Sequence, residues 1–495
     1  MYGHEIINIE NSGIAKFTIK SEHAALRAIK LNTSTDDHDT LVEETKKHLF
    51  RGNIAETEGQ IFILSDILSE IATVFIIPAP DCFMPTLAIK DKKVEIKTGG
   101  YPVSLGCVKC ENAERMCRDW YRMHYRSGGL HSMSNTWGDR NGRTRVCDEF
   151  LRKEIDSGAD LGLDVVQIDD GWQTGIPDTY DESGRRVFAD GFWELKTSIF
   201  SHGMRHIADY AAEKGVSLGL WFAPESRNVF EKIVRDLDVL KKAYDEWGIR
   251  YYKLDMLQLT TQKHCDRMLD FLDAAFTLGD DVSVELDVTA DKRLGYLMSA
   301  PYGTIFVENR YTAWANYYPH RTLRNIWSLS RFMPTSKFQF ELVNPDLYTD
   351  MYSKDDPLRP ELYDIDYLFA SVMLSNPLFW METQFLSDDS RARLKGIIPL
   401  WKEHRDKLVE ADVRPIGEEP CGTSMTGFFA DSHDARYAVL FREASERESF
   451  TYDLAFPISD YEIIASNSNV EISVSESRLT VKFSKMRSYV WLKFS

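Results

Sequence analysis

Between about residues 130 and 380 the chain repeats one pattern. A short apolar run, rich in β-branched and aromatic residues, meets a polar break and then a stretch with helical spacing. Strand–loop–helix units produce this rhythm. It predicts strands at 131–137, 164–168, 217–222, 250–254, 283–285, 304–307, 337–342 and 378–381. Helices are predicted between most of them, at 145–159, 204–214, 229–247, 261–278, 319–332 and 361–374. Eight such units over about 275 residues fit a closed (β/α)8 barrel better than an open sheet. No Gly-x-Gly-x-x-Gly turn follows the first strand, which counts against a dinucleotide fold.

Both flanks break the rhythm. Residues 6–9, 15–19, 60–64, 74–77 and 94–96 read as short strands punctuated by Gly, Pro, Asn and Asp, followed by a linking helix at 113–126. After about residue 410, segments 436–441, 470–474, 479–483 and 488–494 alternate in β fashion. The expected division is an N-terminal β-rich domain with its helix (1–125), a catalytic barrel (126–408) and an antiparallel β-sandwich (409–495).

The net charge of −18 argues against nucleic acid or an anionic membrane as partner and is compatible with a neutral one such as a sugar. Seven cysteines, an odd number over a long chain, make a disulfide framework a poor expectation. Cys107, Cys110 and Cys117 lack a fourth ligand at zinc-type spacing. The opening residues carry no basic-then-apolar leader pattern, and no stretch approaches the roughly 20 apolar residues of a membrane span. A reduced, cytoplasmic protein is the expectation.

The chemistry lies at strand ends, because a side chain at the carboxyl end of a barrel strand projects into the mouth. The run 250–254 ends in Asp255, the run 164–168 in Asp169 and Asp170 followed by Trp172, and the run 304–307 in Glu308. Two carboxyl groups flanking a scissile bond are what glycoside hydrolysis requires. Asp255 and Glu308 are expected to face each other across the mouth, as nucleophile and proton donor, roughly 5 to 7 Å apart. Lys253, two residues earlier, faces the same way as Asp255 and would keep it ionised. Adjacent Asp169 and Asp170 suit two neighbouring hydroxyls better than a divalent ion, and Trp172, Trp221 and Trp137 offer faces for a pyranose. Glu285 and Asp287, of equal facing on the fifth strand, read either as substrate contacts or a base, or as partners of Lys292 and Arg293.

Asp164–Trp172, then Gly219–Glu225, then Tyr252–Asp255, in that order, resemble glycoside hydrolase family 36, the α-galactosidases, in a clan shared with family 27. The resemblance covers roughly residues 130 to 345. It implies a (β/α)8 barrel between an N-terminal β domain and a C-terminal β-sandwich, and a retaining double displacement without cofactor or metal. Asp169 and Asp170 would hold O6 and O4 of the terminal sugar, Trp221 would form a wall, Lys253 would contact ring hydroxyls, and Asp255 would be the nucleophile. Where the family has Trp before the nucleophile and Glu before the proline, this chain has Leu254 and Ala223.

Two motifs depart further. The family's Cys-Ser-Ser-Gly-Gly-Gly-Arg run after strand five, which approaches O2, stands here as Asp287-Val288-Thr289-Ala290-Asp291-Lys292-Arg293. The acid motif Ser-Asp-x-Thr-Asp stands as Val307-Glu308-Asn309-Arg310-Tyr311, with Glu308 at the aspartate's position. These changes put the sugar in question more than the reaction. The expected activity is exo-cleavage of terminal α-linked galactose from an oligosaccharide or glycoconjugate. N-acetylgalactosamine or arabinopyranose as the sugar, transfer to another acceptor, and sugar binding without catalysis stay open. Family relatives often form dimers or tetramers, so a homo-oligomer is open too.

Overall fold

The computed structural model describes residues 4–7, 13–19, 23–33, 40–125, 128–139, 142–177, 188–288, 292–307 and 310–494. Its centre is a closed barrel of eight parallel strands in chain order: β1 (Met133–Asn135), β2 (Val165–Ile168), β3 (Ser217–Phe222), β4 (Tyr251–Leu254), β5 (Ser283–Asp287), β6 (Thr304–Phe306), β7 (Phe338–Leu342) and β8 (Asn376–Phe379). Each falls on a stretch read as a strand from the sequence, and β8 closes on β1 with Met133 opposite Leu378. The apolar runs are buried on both faces, as strands wrapped by helices must be.

Antiparallel sheets flank the barrel. On the N-terminal side a six-stranded and a four-stranded sheet enclose Leu26, Phe62, Phe75, Leu87 and Ile96. Strands Thr86–Lys90 and Lys93–Lys97 are joined through Asp91 and Lys92, both at positive φ (49° and 63°). Two left-handed residues in a two-residue hairpin match the twist of the strands they join. On the C-terminal side a five-stranded and a three-stranded sheet pack over Phe429, Leu440, Tyr452, Leu479 and Leu492. Helix α1 (Ala113–His124) ties the parts together. Its buried face carries Met116, Trp120 and Tyr121, and Arg118 makes a two-pronged pair with Asp412 at 2.7 and 3.1 Å. Among the described residues, no helix is long and apolar enough to cross a membrane.

The helices depart from expectation in identifiable places. The single helix predicted over 229–247 begins only at Ile233, because Val229 and Phe230 adopt left-handed φ of 55° and 57°. It passes into a π turn at Ala243–Trp247 before Gly248 stops it. Asp388–Glu410, 23 residues long, is a helix absent from the sequence reading, with Ser387 capping it by accepting the Ser390 N–H. Strands Asp412–Gly417, Met425–Asp431, Ser449–Asp453 and Tyr461–Ser466 were likewise not predicted.

Candidate active site

The candidate site sits at the carboxyl ends of β2 to β5. Registry places Trp221 beside Lys253 and Lys253 beside Glu285, and alternation turns Lys253 and Asp255 into the barrel. Lys253 is 5% exposed. Its Nζ donates to Asp169 Oδ2 at 3.1 Å and lies 3.9 Å from Asp255 Oδ2. The ammonium also lies over the rings of Trp380 (4.7 Å) and Phe306 (5.0 Å). Burial alone would lower its pKa, but the charges of Asp169, Asp255 and Asp287 outweigh that and raise it, so the cation persists.

Asp255 is the carboxylate that solvent reaches, its side chain 22% exposed against 4% for Asp169 and 7% for Asp170. The Trp221 indole N–H donates to its Oδ2 at 3.0 Å, and the Met256 N–H to its Oδ1 at 2.5 Å. Met256 is left-handed (φ 58°), a conformation costly for a residue with a side chain and one that clusters at functional sites. Partial burial raises the pKa of Asp255. Lys253, a hydrogen bond with Asp287, Arg293 and the Trp221 N–H together pull it well below the carboxylate range. Asp287 bears the reverse effect: burial and the adjacent Asp255 charge push it up to about 7 against the pull of Arg293. The two form one hydrogen-bonded unit in which negative charge is favoured on Asp255 and a proton on Asp287. Arg293, 3% exposed, is anchored through its backbone N–H to Asp81 Oδ2 at 3.1 Å.

Asp169 accepts from Asn135 Nδ2 (2.9 Å), Lys253 and the Asp170 N–H (2.9 Å). Asp170 accepts from Gln173 Nε2 at 2.6 Å and lies 3.6 Å from Arg143 Nε. The bend between them needs Gly171: its φ is 127°, and a Cβ there would stand 2.7 Å from that of Arg143. Trp137, half-buried, has its backbone N–H on Asn135 Oδ1 (2.8 Å) and a side-chain hydrogen bond to Tyr311.

Three sequence expectations are corrected. Trp221, expected as a wall for the sugar, is 2% exposed and packs against Trp193 at 5.9 Å, leaving only its indole N–H to the site. Trp172 offers no face to a sugar: it is 1% exposed, stacked on Trp193 at 5.8 Å, edge-on to Trp247, with its indole N–H on the Trp221 carbonyl. Glu285 shares the inward facing of Asp287 but lies one pleat deeper. It is fully buried, accepts from Gln167 Nε2 at 3.2 Å and sits 3.7 Å from His131 Nε2, below the mouth. Glu308 lies outside the described residues. Trp380, Asn135, Arg143 and Tyr311 were missed. Trp380 carried the signal used elsewhere, an indole directly after an apolar strand and before an acid, Glu382.

Beside the mouth, Asp139 accepts the Glu382 N–H at 2.9 Å, Arg145 pairs with Glu382, and Glu154 accepts from Thr383. Burial, then Glu382 and Glu154, push Asp139 up to about 7. An acid raised in the folded state binds protons that the unfolded chain has released, so its contribution to stability falls as pH rises from its ordinary 3.8 to about 7. Asp139→Asn keeps the acceptor and removes that ionisation. Denaturant unfolding should show it more stable than wild type by about 1–2 kcal/mol at pH 8, with a smaller gain at pH 5.

Among the described residues, the grouping with metal-ligand spacing is half-buried Asp148 with exposed His202 and His206, rather than these acids.

With this geometry in place, similarity to known proteins becomes informative. Residues 122–276 match the Melibiase family. The matched span holds Asp169, Asp170, Trp221, Lys253 and Asp255, so the likeness to α-galactosidases read from the motifs holds over this part of the barrel. Over 112 residues the chain is 31% identical to α-galactosidase Mel36A of Lactobacillus acidophilus and 27% identical to α-galactosidase 1 of Pediococcus pentosaceus. The aligned stretch covers 23% of this chain and 14% of either relative. In three dimensions the barrel and its flanking sheets resemble the GH36 α-galactosidase AgaB of Geobacillus stearothermophilus. That match has a TM-score of 0.71 at 12% identity over 97% of this chain and 76% of that one. A variant of AgaA from the same organism, solved with raffinose, superposes with a TM-score of 0.69 at 13% identity, again over 97% and 76% of the two chains.

Proposed function

We propose that the chain is a retaining, exo-acting α-glycosidase whose substrates carry terminal α-linked galactose. The observation that carries this reading is Asp255: a solvent-reached carboxylate at the end of β4, held ionised by Lys253 and aimed by the Trp221 indole. The similarity of its surroundings to α-galactosidases supports the choice of sugar.

In this mechanism Asp255 attacks the anomeric carbon while Glu308 gives its proton to the departing oxygen. The glycosidic bond breaks and a glycosyl ester of Asp255 forms. Glu308, now ionised, takes a proton from water, which attacks the same carbon and releases Asp255. Asp169 and Asp170 hold the distal hydroxyls, Trp137 walls the ring, Trp221 acts through the N–H it gives Asp255, and Asp287 with Arg293 meets the side of the sugar next to the reacting carbon. The double displacement needs no cofactor.

A panel of nitrophenyl α-glycosides tests the reading. Release should be fastest from the galactoside, with the α-anomer formed first by NMR. Absence of turnover across the panel, or a β-anomer first, would refute it. Glu308→Ala should slow a substrate with a poor alkyl leaving group by about 10²–10⁴-fold and a dinitrophenyl glycoside far less. Equal losses would remove Glu308 from the acid's role.

A further inference from the structure

We propose that Asp148, His202 and His206 form a binding site for a zinc-type divalent cation on the outer rim of the barrel. The site is separate from the sugar-binding acids. One ligand atom from each of the three lies within 4.8 Å of the others, so side-chain shifts of under about 1 Å bring all three to the roughly 2.1 Å reach of a single ion. Two imidazoles and one carboxylate suit a borderline metal such as Zn2+ better than Mg2+ or Ca2+, which prefer all-oxygen ligation.

The local fold builds this convergence. Asp148 opens α2 (Asp148–Leu161), the helix following β1, and His206 lies in the first turn of α3 (Met204–Glu213), the helix following β2. Adjacent helices of the barrel's outer ring therefore present these residues side by side. His202 and His206, four residues apart, hold their rings 5.3 Å from each other. Ser201 Oγ stands 3.1 Å from His202 Nδ1 and orients that ring, as hydrogen bonds around metal ligands do.

Arg152 occupies the meeting point now. Its Nε donates to Asp148 Oδ1 at 2.7 Å and its Nη2 lies 2.5 Å from His206 Nε2. A guanidinium bonded to a neutral imidazole and a carboxylate marks a place where lone pairs converge and positive charge is favoured. Its guanidinium carbon lies 4.4 Å from the Tyr210 ring centre at the same time, so the ring seats it while its N–H groups reach Asp148 and His206. The metal would take His206 and Asp148 while Arg152 keeps Tyr210 and turns its N–H groups to solvent. The residue is thus a built-in competitor, and its removal should strengthen the site. A bound ion would clamp α2 to α3, and with them the two loops that carry Arg143 and Asp170.

The test is calorimetric titration of ZnCl2 into the chelator-treated full chain, with MgCl2 as control. Wild type should bind one Zn2+ that His202→Ala and His206→Ala each weaken by roughly tenfold or more, the scale of ligand-sphere changes. Arg152→Met should bind more tightly than wild type, and its unfolding temperature should rise on adding Zn2+. Two results would overturn the proposal: no saturable Zn2+ binding in either wild type or Arg152→Met, or binding indifferent to both histidine substitutions. The second would place the ion elsewhere, for instance at one of the free cysteines.

Discussion

Asp255→Asn should reduce turnover of an aryl α-galactoside by about 10⁴-fold or more while leaving the fold intact. The amide oxygen can keep one of the two N–H groups that now address separate carboxylate oxygens, Met256 on Oδ1 or Trp221 on Oδ2, and its NH2 must turn toward the other or toward Asp287. What disappears is the negative charge to which the proposed mechanism gives the attack, together with the repulsion that raises the pKa of Asp287. The unfolding temperature should fall only modestly, because Lys253 keeps its hydrogen bond to Asp169, while activity collapses, which separates loss of chemistry from loss of structure. Asp255→Gly provides the complementary result. Azide entering the emptied space should attack from the face Asp255 used and yield a β-glycosyl azide. Retained hydrolysis in Asp255→Asn, or no azide adduct from Asp255→Gly, would exclude Asp255 as the nucleophile.

Lys253→Met should be the more damaging change to the molecule as a whole. It strands Asp169 and Asp255 without their shared cation, and removing one partner of a buried pair costs about 3–5 kcal/mol. Methionine can rest between Trp380 and Phe306, so lost packing is a minor part of that cost. The functional signature is in the pH profile. Lys253 lowers the pKa of Asp255, so its loss raises that pKa, and the acid limb of kcat/KM should move to higher pH. A variant with lower activity but an unmoved acid limb would show that Lys253 supports the site without setting the charge of Asp255.

The barrel was legible because each of its strands is an apolar run with an abrupt polar end, and burial on both faces leaves little room for other patterns. The C-terminal sheets were less so. Ser449–Asp453 and Tyr461–Ser466 are largely exposed and bring few apolar positions to reveal their period. The helix Asp388–Glu410 carries Pro399 in its interior and charged residues around most of its surface, which hid its spacing. Within the site, period-two counting placed Lys253 and Asp255 together and turned Asp287 inward. It could not report depth, so Glu285 looked equivalent to Asp287 although one pleat lower it meets Gln167 instead of the mouth. Trp172 was misread for a related reason: beyond the end of β2 alternation stops, and Gly171 swings the indole back into the core.

Gly138 shows how narrowly the ring is sealed. A methyl group there would fall 1.9 Å from the carbonyl oxygen of Trp380, on the opposite lip of the join between first and last staves. Any larger residue must wedge that join apart and carry the Trp380 indole off the ammonium it shelters. Position 138 thus governs the electrostatics around Asp255 without touching it, and an effort to retune the sugar preference should leave this hydrogen-sized gap alone.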